Sequence, residues 1–268
     1  AEDAAGLQGQ ALAVVEVTAL PTATALPMPT ATPTLAPTTT PTRAPQPSIP
    51  PVTAYWSEVT IATYAYREAL YTDPQAAGHP YPLLDRDRVG PPTPQTYRLL
   101  VLRNEYLEIA LLPELGGRIY QVRYLPTGQD LLYNNRVIKP SPWGPPEQGW
   151  WLGVGGIEFA LPVAEHGYLT AEPWAVDWTQ RADGGVTATL RADEPSRGLQ
   201  TWVEVTLLPG QAGFALRPSL YNPGSQVQPA QWWVNALVSP GSHGVGPSLR
   251  VLCPASEVLV HSCGDETL

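Results

Sequence analysis

The chain has 268 residues, and its 32 prolines outnumber both its 15 Lys+Arg and its 24 Asp+Glu. The net charge of −9 argues against a nucleic-acid-binding or anionic-membrane-binding surface, because both need clustered basic side chains. No stretch of 18 apolar residues occurs, so we predict no transmembrane segment. The GxGxxG, P-loop, HExxH and GxSxG patterns do not occur, so we expect no cofactor and no metal.

The first 51 residues differ in composition from the rest of the chain. They contain 10 prolines among Thr and Ala, and residues 21–51 predict an extended, hydrated spacer because they cannot bury apolar surface. We therefore predict a disordered tail over 1–51 and a folded domain over 52–268. Such a spacer favours an exported, extracellular or cell-surface protein tethered through its N-terminal segment. A linker between domains is the alternative.

Alternating and β-branched residues predict a series of strands after Val52. The first covers 56–66, and the Pro- and Asp-rich residues 70–94 predict a long ordered loop. Further strands are expected at 96–104, 105–113, 117–125, 129–135, 185–193, 200–209, 213–222 and 230–240, with two short strands closing the chain. No window shows the helical period, so the sequence predicts an all-β sandwich with little helix.

Residues 140–178 are too rich in Pro, Gly and Trp to predict ordinary strands, and they contain five of the nine Trp. Long irregular segments inside a compact domain are usually functional. Glu158 and His166 lie in this segment, and a carboxylate with an imidazole suffices for acid–base work on a sugar: Glu accepts a hydroxyl proton and His protonates a ring oxygen. Alternatively, Glu158 braces the backbone and His166 occupies a turn.

Three other groups of residues are candidates for ligand contact. Arg118 follows Gly116-Gly117 and offers a rigid fork to a hydroxyl pair or a carboxylate, although Gly-Gly is also common in hairpins. Trp233 and Asn235 share one strand face, where an indole beside an amide suits sugar binding; a core Trp is the alternative. The remaining candidate stacking surfaces are Trp150, Trp151 and Trp174.

Cys253 and Cys263 lie ten residues apart near the C-terminus. In an exported protein this spacing suits a disulfide that closes a hairpin, whereas in a cytosolic protein they would be two thiols. With only His261 nearby, they do not form a four-ligand metal site.

The order of several motifs resembles a known bacterial family, domain of unknown function 5107. The motifs are NEYLEIALLPELGGRIYQV, TGQDLLYNNRVIKP, WWLGVGGIEFALPVAEHGY, EPW and QWWVNAL. The resemblance covers roughly Trp56 to the C-terminus. It implies a galactose mutarotase-like antiparallel β-supersandwich that binds carbohydrate on a concave face, and it implies a sandwich still incomplete at Leu268.

The resemblance also suggests roles for particular residues. Arg118 corresponds to the Arg that follows Gly-Gly on the binding face of mutarotase relatives, and His166 lies where a His is expected. The catalytic Glu of those relatives comes from late strands, and neither Glu257 nor Glu266 lies in a matching motif. Glu158, in the family's GGIEF motif, is therefore the better candidate for the site carboxylate.

Three functions agree with these observations. The first is a carbohydrate-binding domain that uses Trp150, Trp151, Trp174 and Trp233 for stacking and Arg118, Glu158, His166 and Asn235 for polar contacts. The second is a sugar-active enzyme, an epimerase or glycoside-processing, with Glu158 and His166 as catalytic pair. The third is a structural surface or assembly domain without a ligand.

Overall fold

The computed structural model of the chain describes residues 49–163 and 166–239. Two single-turn 3₁₀ helices, Arg67–Ala69 and Arg86–Arg88, are the helical elements of the described part. The strands are β1 (Thr53–Ala65), β2 (Leu70–Tyr71), β3 (Leu83–Leu84), β4 (Gly90–Arg103), β5 (Leu107–Leu112), β6 (Arg118–Tyr124), β7 (Gln129–Asp130), β8 (Asn134–Ser141), β9 (Trp151–Gly155), β10 (Ile157–Ala160), β11 (Ala175–Gln180), β12 (Val186–Glu194), β13 (Leu199–Leu207), β14 (Phe214–Tyr221) and β15 (Trp233–Ala236).

The strands form two main sheets. The larger has nine strands in the order β15-β10-β6-β5-β4-β1-β8-β9, with β7 paired to β6. The smaller contains β11-β12-β13-β14, and β2 pairs with β3 separately. The main pairs are antiparallel, whereas β1 and β8 run parallel over a short stretch. The prediction of an all-β fold with little helix is confirmed.

Apolar side chains cover both faces of the nine-stranded sheet. Because side chains alternate along a strand, Leu100 and Leu102 of β4 point toward the four-stranded sheet and join a core with Val203 and Val205 of β13. The intervening residues of β4, among them Val101, join a second core with β5, β8 and β9 on the other face. The nine-stranded sheet therefore separates the two cores, and strands of this sheet itself form most of the second core.

The nine-stranded sheet curls until its two ends meet. β9 is the last strand at one end and β10 the second strand at the other, yet only Gly156 separates them in sequence. Hydrogen bonds close the seam: Gly156 N donates to Tyr133 O at 2.9 Å, and Asn134 Nδ2 of β8 donates to Tyr120 O of β6 at 2.8 Å. The candidate functional site lies at this seam.

Two sequence predictions about strands were wrong. β4 begins at Gly90, inside the predicted loop, and includes three prolines. Proline is tolerated there because β5 pairs only with residues 100–103, which leaves one edge of the proline segment without a ladder. Residues 140–178 include the regular strands β9 and β10 and the start of β11. The closely spaced glycines of β9 let its backbone pack tightly at the seam.

Several predictions fall outside the described residues. These are the structure of the tail up to residue 48, the pairing of Cys253 with Cys263, and the two closing strands. The division into a tail over 1–51 and a domain over 52–268 stays a prediction. Within the described residues, no helix is long and apolar enough to cross a membrane.

Candidate functional site

The candidate site is built around the carboxylate of Glu158, in the centre of β10. Ile157 and Phe159 point into the core between the sheets, so Glu158 points to the opposite face of β10. Its side chain is 1% exposed. A buried carboxylate needs hydrogen-bond donors or a positive charge to remain ionised, and four side chains supply them: Arg118, Trp151, His166 and Asn235. We call these five residues the Glu158 cluster.

Arg118 lies beneath the carboxylate, and its side chain is 0% exposed. Its guanidinium donates to the carbonyl oxygens of Leu115, Gly155 and Thr170 at 2.7, 3.1 and 2.8 Å. Nη1 also lies 3.6 Å from Glu158 Oε2. We expected Arg118 to present its fork to a ligand, but burial leaves it no access to one. Its hydrogen bonds instead connect the segments that contain Leu115, Gly155 and Thr170 on the buried side of the cluster.

His166 covers the carboxylate from the solvent side. Its Nδ1 lies 2.5 Å from Glu158 Oε1, and its side chain is 19% exposed. His166 and Gly167 both have positive φ, 70° and 61°, which is the backbone of a tight turn. Glycine is required at 167, since a Cβ there would lie 2.2 Å from Leu161 O. The His-Gly pair thus turns the imidazole back toward β10.

Trp151 and Asn235 hold the carboxylate from two sides. The Trp151 indole N–H donates to Glu158 Oε2 at 3.1 Å, and its ring stacks on that of His166 with centroids 4.0 Å apart. Asn235 is the partner of Glu158 across the β10–β15 ladder, and its Nδ2 donates to Oε1 at 3.0 Å. These contacts join the two ends of the curled sheet through one side chain.

Trp233 provides an accessible aromatic surface beside the cluster. It lies two residues before Asn235 on β15, so both side chains are on the same strand face, about 7 Å apart along the strand. Trp233 is 41% exposed. The structure therefore places an exposed indole next to an amide, as the sequence suggested.

Trp150 and Trp174 do not reach the surface. They are 2% and 3% exposed. The Trp150 indole packs on Tyr66 and donates to Pro82 O at 2.9 Å, and Trp174 packs on Phe159 in the core between the sheets. We expected both to offer stacking surfaces, but a buried indole offers no face to a ligand, and the candidate aromatic surface reduces to Trp151 and Trp233.

The charges of the cluster compensate each other. Burial alone would raise the pKa of Glu158, but the hydrogen bond from His166, the charge of Arg118 and the amide of Asn235 outweigh it and hold that pKa below its usual range. Burial lowers the pKa of Arg118, and the Glu158 carboxylate opposes that effect. Glu158 is therefore ionised at neutral pH in spite of its burial.

Chemically, the cluster offers hydrogen-bonding groups and an aromatic face at one place on the surface. His166, Trp151 and Asn235 are each partly exposed around a buried charge. Among residues 49–163 and 166–239, no group of three or more His, Cys, Asp or Glu side chains could hold a metal ion. The arrangement suits a ligand that has both hydroxyl groups and an apolar face.

The fold and this cluster define an all-β protein with a polar site at the seam of a curled sheet. A family model described as Domain of unknown function (DUF5107) matches residues 75–243, which is more than half of the chain. The chain belongs to this family. The match includes every residue of the Glu158 cluster, and the β-rich architecture is compatible with a galactose mutarotase-like fold.

A solved structure with a similar fold is the crystal structure of a TPR-domain containing protein from Parabacteroides distasonis. The TM-score is 0.60 and the sequence identity 25%, over 70% of this chain and 32% of the other. This chain therefore spans about a third of the length of that protein.

Sequence reasoning found all five residues of the Glu158 cluster but not their arrangement. It treated Arg118 as a ligand contact and Glu158 as a ligand contact or a catalytic group, with bracing of the backbone as the alternative, whereas both are buried and paired with each other. The missed feature is the seam. The seam is signalled in the sequence by Gly155-Gly156. This pair connects β9, at one end of the nine-stranded sheet, to β10, the second strand from the other end.

Proposed function

We propose that this chain binds carbohydrate at the Glu158 cluster and the adjoining face of Trp233. A sugar ring presents hydroxyl groups at its edge and C–H groups on its faces, so its binding sites combine polar side chains with exposed aromatic rings. The observation that carries the proposal is the placement of His166 and Asn235, which are both hydrogen-bonded to one buried carboxylate, beside the 41% exposed Trp233.

The preorganisation of the cluster supports the proposal. Glu158 fixes the orientation of Trp151, His166 and Asn235 before any ligand arrives. Side chains that are already ordered lose little conformational entropy on binding, so their hydrogen bonds contribute more to affinity. The ligand we propose is a neutral sugar unit of a mono- or polysaccharide, and the Pro- and Thr-rich spacer favours an extracellular or cell-surface location for its capture.

A binding screen with matched tryptophan variants tests the proposal. The protein is applied to an array of plant and bacterial polysaccharides, and positive ligands are measured by calorimetry. We expect Trp233→Ala to weaken binding roughly 5- to 12-fold, since stacking contributes on the order of 1–1.5 kcal/mol. Trp178→Ala is the control, because Trp178 is 39% exposed but lies on the four-stranded sheet.

Two results would contradict this proposal. One is the absence of binding to any polysaccharide on the array, which would favour a structural or assembly domain. The other is equal weakening by both tryptophan variants, which would place the ligand elsewhere or indicate a general loss of stability.

A sugar-active enzyme is a second candidate, and it is favoured by the 2.5 Å distance between His166 Nδ1 and Glu158 Oε1. A carboxylate that is hydrogen-bonded to an imidazole orients that ring for proton transfer, which is one arrangement used in acid–base catalysis. The test is incubation with the same polysaccharides and with pure anomers of monosaccharides. New reducing ends, or an optical rotation that changes faster than in buffer, would support an enzyme. Binding without any chemical change in the sugars would support carbohydrate binding and argue against an enzyme.

A further inference from the structure

The hydrogen-bonding capacity of Glu158 is used by the protein itself. Oε1 accepts from His166 Nδ1 and Asn235 Nδ2, and Oε2 accepts from Trp151 Nε1 and faces Arg118 Nη1 at 3.6 Å. The side chain is also 1% exposed. A carboxylate enclosed in this way does not contact a ligand without breaking bonds to its own protein.

His166 is the ionisable member of the cluster that reaches the surface. Arg118, Glu158 and His166 form an ordered series from core to solvent, with side-chain exposures of 0%, 1% and 19%. The imidazole has one nitrogen on Glu158, and its other nitrogen, Nε2, bonds to no residue within 49–163 and 166–239. The stacked Trp151 ring covers one face of the imidazole, and 19% of the side chain remains exposed to a ligand.

The bond to Glu158 determines which nitrogen carries the proton. An ionised carboxylate only accepts hydrogen bonds, so the nitrogen that faces it must be a donor. In a neutral imidazole one nitrogen donates and the other accepts. With Nδ1–H donating to Glu158, Nε2 of the neutral ring has a lone pair that can accept a hydrogen bond.

We propose that His166 Nε2 is the hydrogen-bond acceptor that selects a ligand hydroxyl, and that Glu158 is a positioning residue that fixes the Nδ1–H tautomer. This inference rests on the proposed carbohydrate binding and gives the site a specificity. The ligand must present an O–H at the imidazole, so a sugar that is methylated or deoxygenated at that position binds more weakly. Glu158 acts through His166 and makes no ligand contact of its own.

The backbone at position 166 permits a selective substitution. Asn tolerates the positive φ of 70° found here. Its amide can donate to Glu158 from the position of Nδ1, but it has no atom that corresponds to Nε2. His166→Asn therefore removes the proposed acceptor while retaining the bond to Glu158 and the turn. His166→Gln reaches the Nε2 position but loses the bond to Glu158.

The direct test is the tautomer of His166 in the free protein. Histidine is labelled with ¹⁵N, and the His166 signals are assigned among the four histidines by their loss in His166→Asn. Spectra are recorded through a pH titration up to the neutral ring. We expect the Nδ1–H tautomer in the wild type, with a smaller share of it in Glu158→Gln. A neutral ring protonated at Nε2 in the wild type would overturn the inference, whether or not Glu158→Gln folds.

Binding to the polysaccharide array provides the second arm. His166→Asn is expected to weaken binding by roughly 3- to 10-fold through loss of one hydrogen bond, with thermal stability close to that of the wild type. Wild-type affinity in His166→Asn would overturn the role of Nε2, while weakening by Trp233→Ala would still support carbohydrate binding. The two proposals can therefore fail separately.

Discussion

At the residue scale, the Glu158 cluster depends on the buried ion pair of Arg118 and Glu158. Hydrogen bonds to other groups hold each of these two side chains in place. Arg118 donates to three carbonyl oxygens in addition to facing Glu158. Glu158 accepts from the side chains of Trp151, His166 and Asn235 in addition to facing Arg118. Removing one member of such a pair leaves the other charge buried without compensation. Stability and site geometry are therefore coupled at these two residues.

Glu158→Gln should destabilise the folded protein by about 3 kcal/mol, in the range measured for the breaking of buried ion pairs. The control is Asp177→Asn, because Asp177 forms an exposed pair with Arg191 at 2.6 Å, and exposed pairs contribute about 0–1 kcal/mol. Urea unfolding of the two variants and the wild type measures both effects. Equal effects of the two substitutions would show that the buried pair has no special role.

The low pKa of Glu158 predicts a pH dependence with a definite sign. A carboxylate whose folded-state pKa is depressed stabilises the fold fully above its unfolded pKa of about 4.3, and that stabilisation is lost as the pH falls toward the folded-state value. The difference in unfolding free energy between wild type and Glu158→Gln should therefore shrink as the pH falls below about 4. A difference that stays constant to pH 3 would contradict the ionised, hydrogen-bonded state of Glu158.

At the scale of elements, the turn before β6 sets the position of Arg118. Gly117 has φ of 58°, and a Cβ there would lie 2.6 Å from the Trp174 ring. Trp174 is held in turn by its indole N–H, which donates to Leu169 O at 3.2 Å. The glycine thus lets β6 begin directly against the core, with Arg118 as its first residue.

Gly117→Ala should destabilise the protein by about 3 kcal/mol or more, since it adds an overpacking cost to that of a left-handed alanine. Gly128→Ala is a matched control, because Gly128 has φ of 72° but a Cβ there would meet no atom within 4 Å. The control should cost about 1–2 kcal/mol. Thermal or urea unfolding compares them, and an equal loss in both variants would contradict the close approach of Gly117 to Trp174.

At the scale of the whole molecule, the two apolar cores share the strands of the nine-stranded sheet. Alternate residues of β4 and β5 belong to opposite cores, so neither core can unfold without disturbing the strands of the other. Leu190 belongs to the core between the sheets and Leu152 to the second core, and both are completely buried. We therefore expect the folded domain to behave as one cooperative unit.

Leu190→Ala and Leu152→Ala should each lower the unfolding free energy by about 2–5 kcal/mol and shift one common transition. The control is Leu220→Ala, which should change it by about 0.5 kcal/mol or less because Leu220 is 37% exposed. Far-ultraviolet circular dichroism and tryptophan fluorescence can follow the same urea titration. Two separate transitions in either core variant would show that the cores unfold independently.

Strands with alternating residues, such as those at 200–209 and 213–222, were predictable because one side of each strand is apolar. The prolines of β4 hid a strand because they are tolerated only where one edge of that strand has no partner. The glycines of β9 hid a strand because β9 packs at the seam, against residues that lie at the other end of the sheet. The residue types of the Glu158 cluster were readable from the sequence, but burial of Arg118, Trp150 and Trp174 depends on the packed fold.

Carbohydrate binding at the Glu158 cluster beside Trp233 is tested most directly by the indole N–H signals of the nine tryptophans. Single-site variants assign these signals in a ¹H–¹⁵N spectrum, and an array-positive sugar is then titrated in. We predict shifts at Trp151 and Trp233 and constant signals at Trp178 and Trp174. Shifts confined to Trp178 and its neighbour Trp56, with Trp151 and Trp233 unchanged, would contradict the claim.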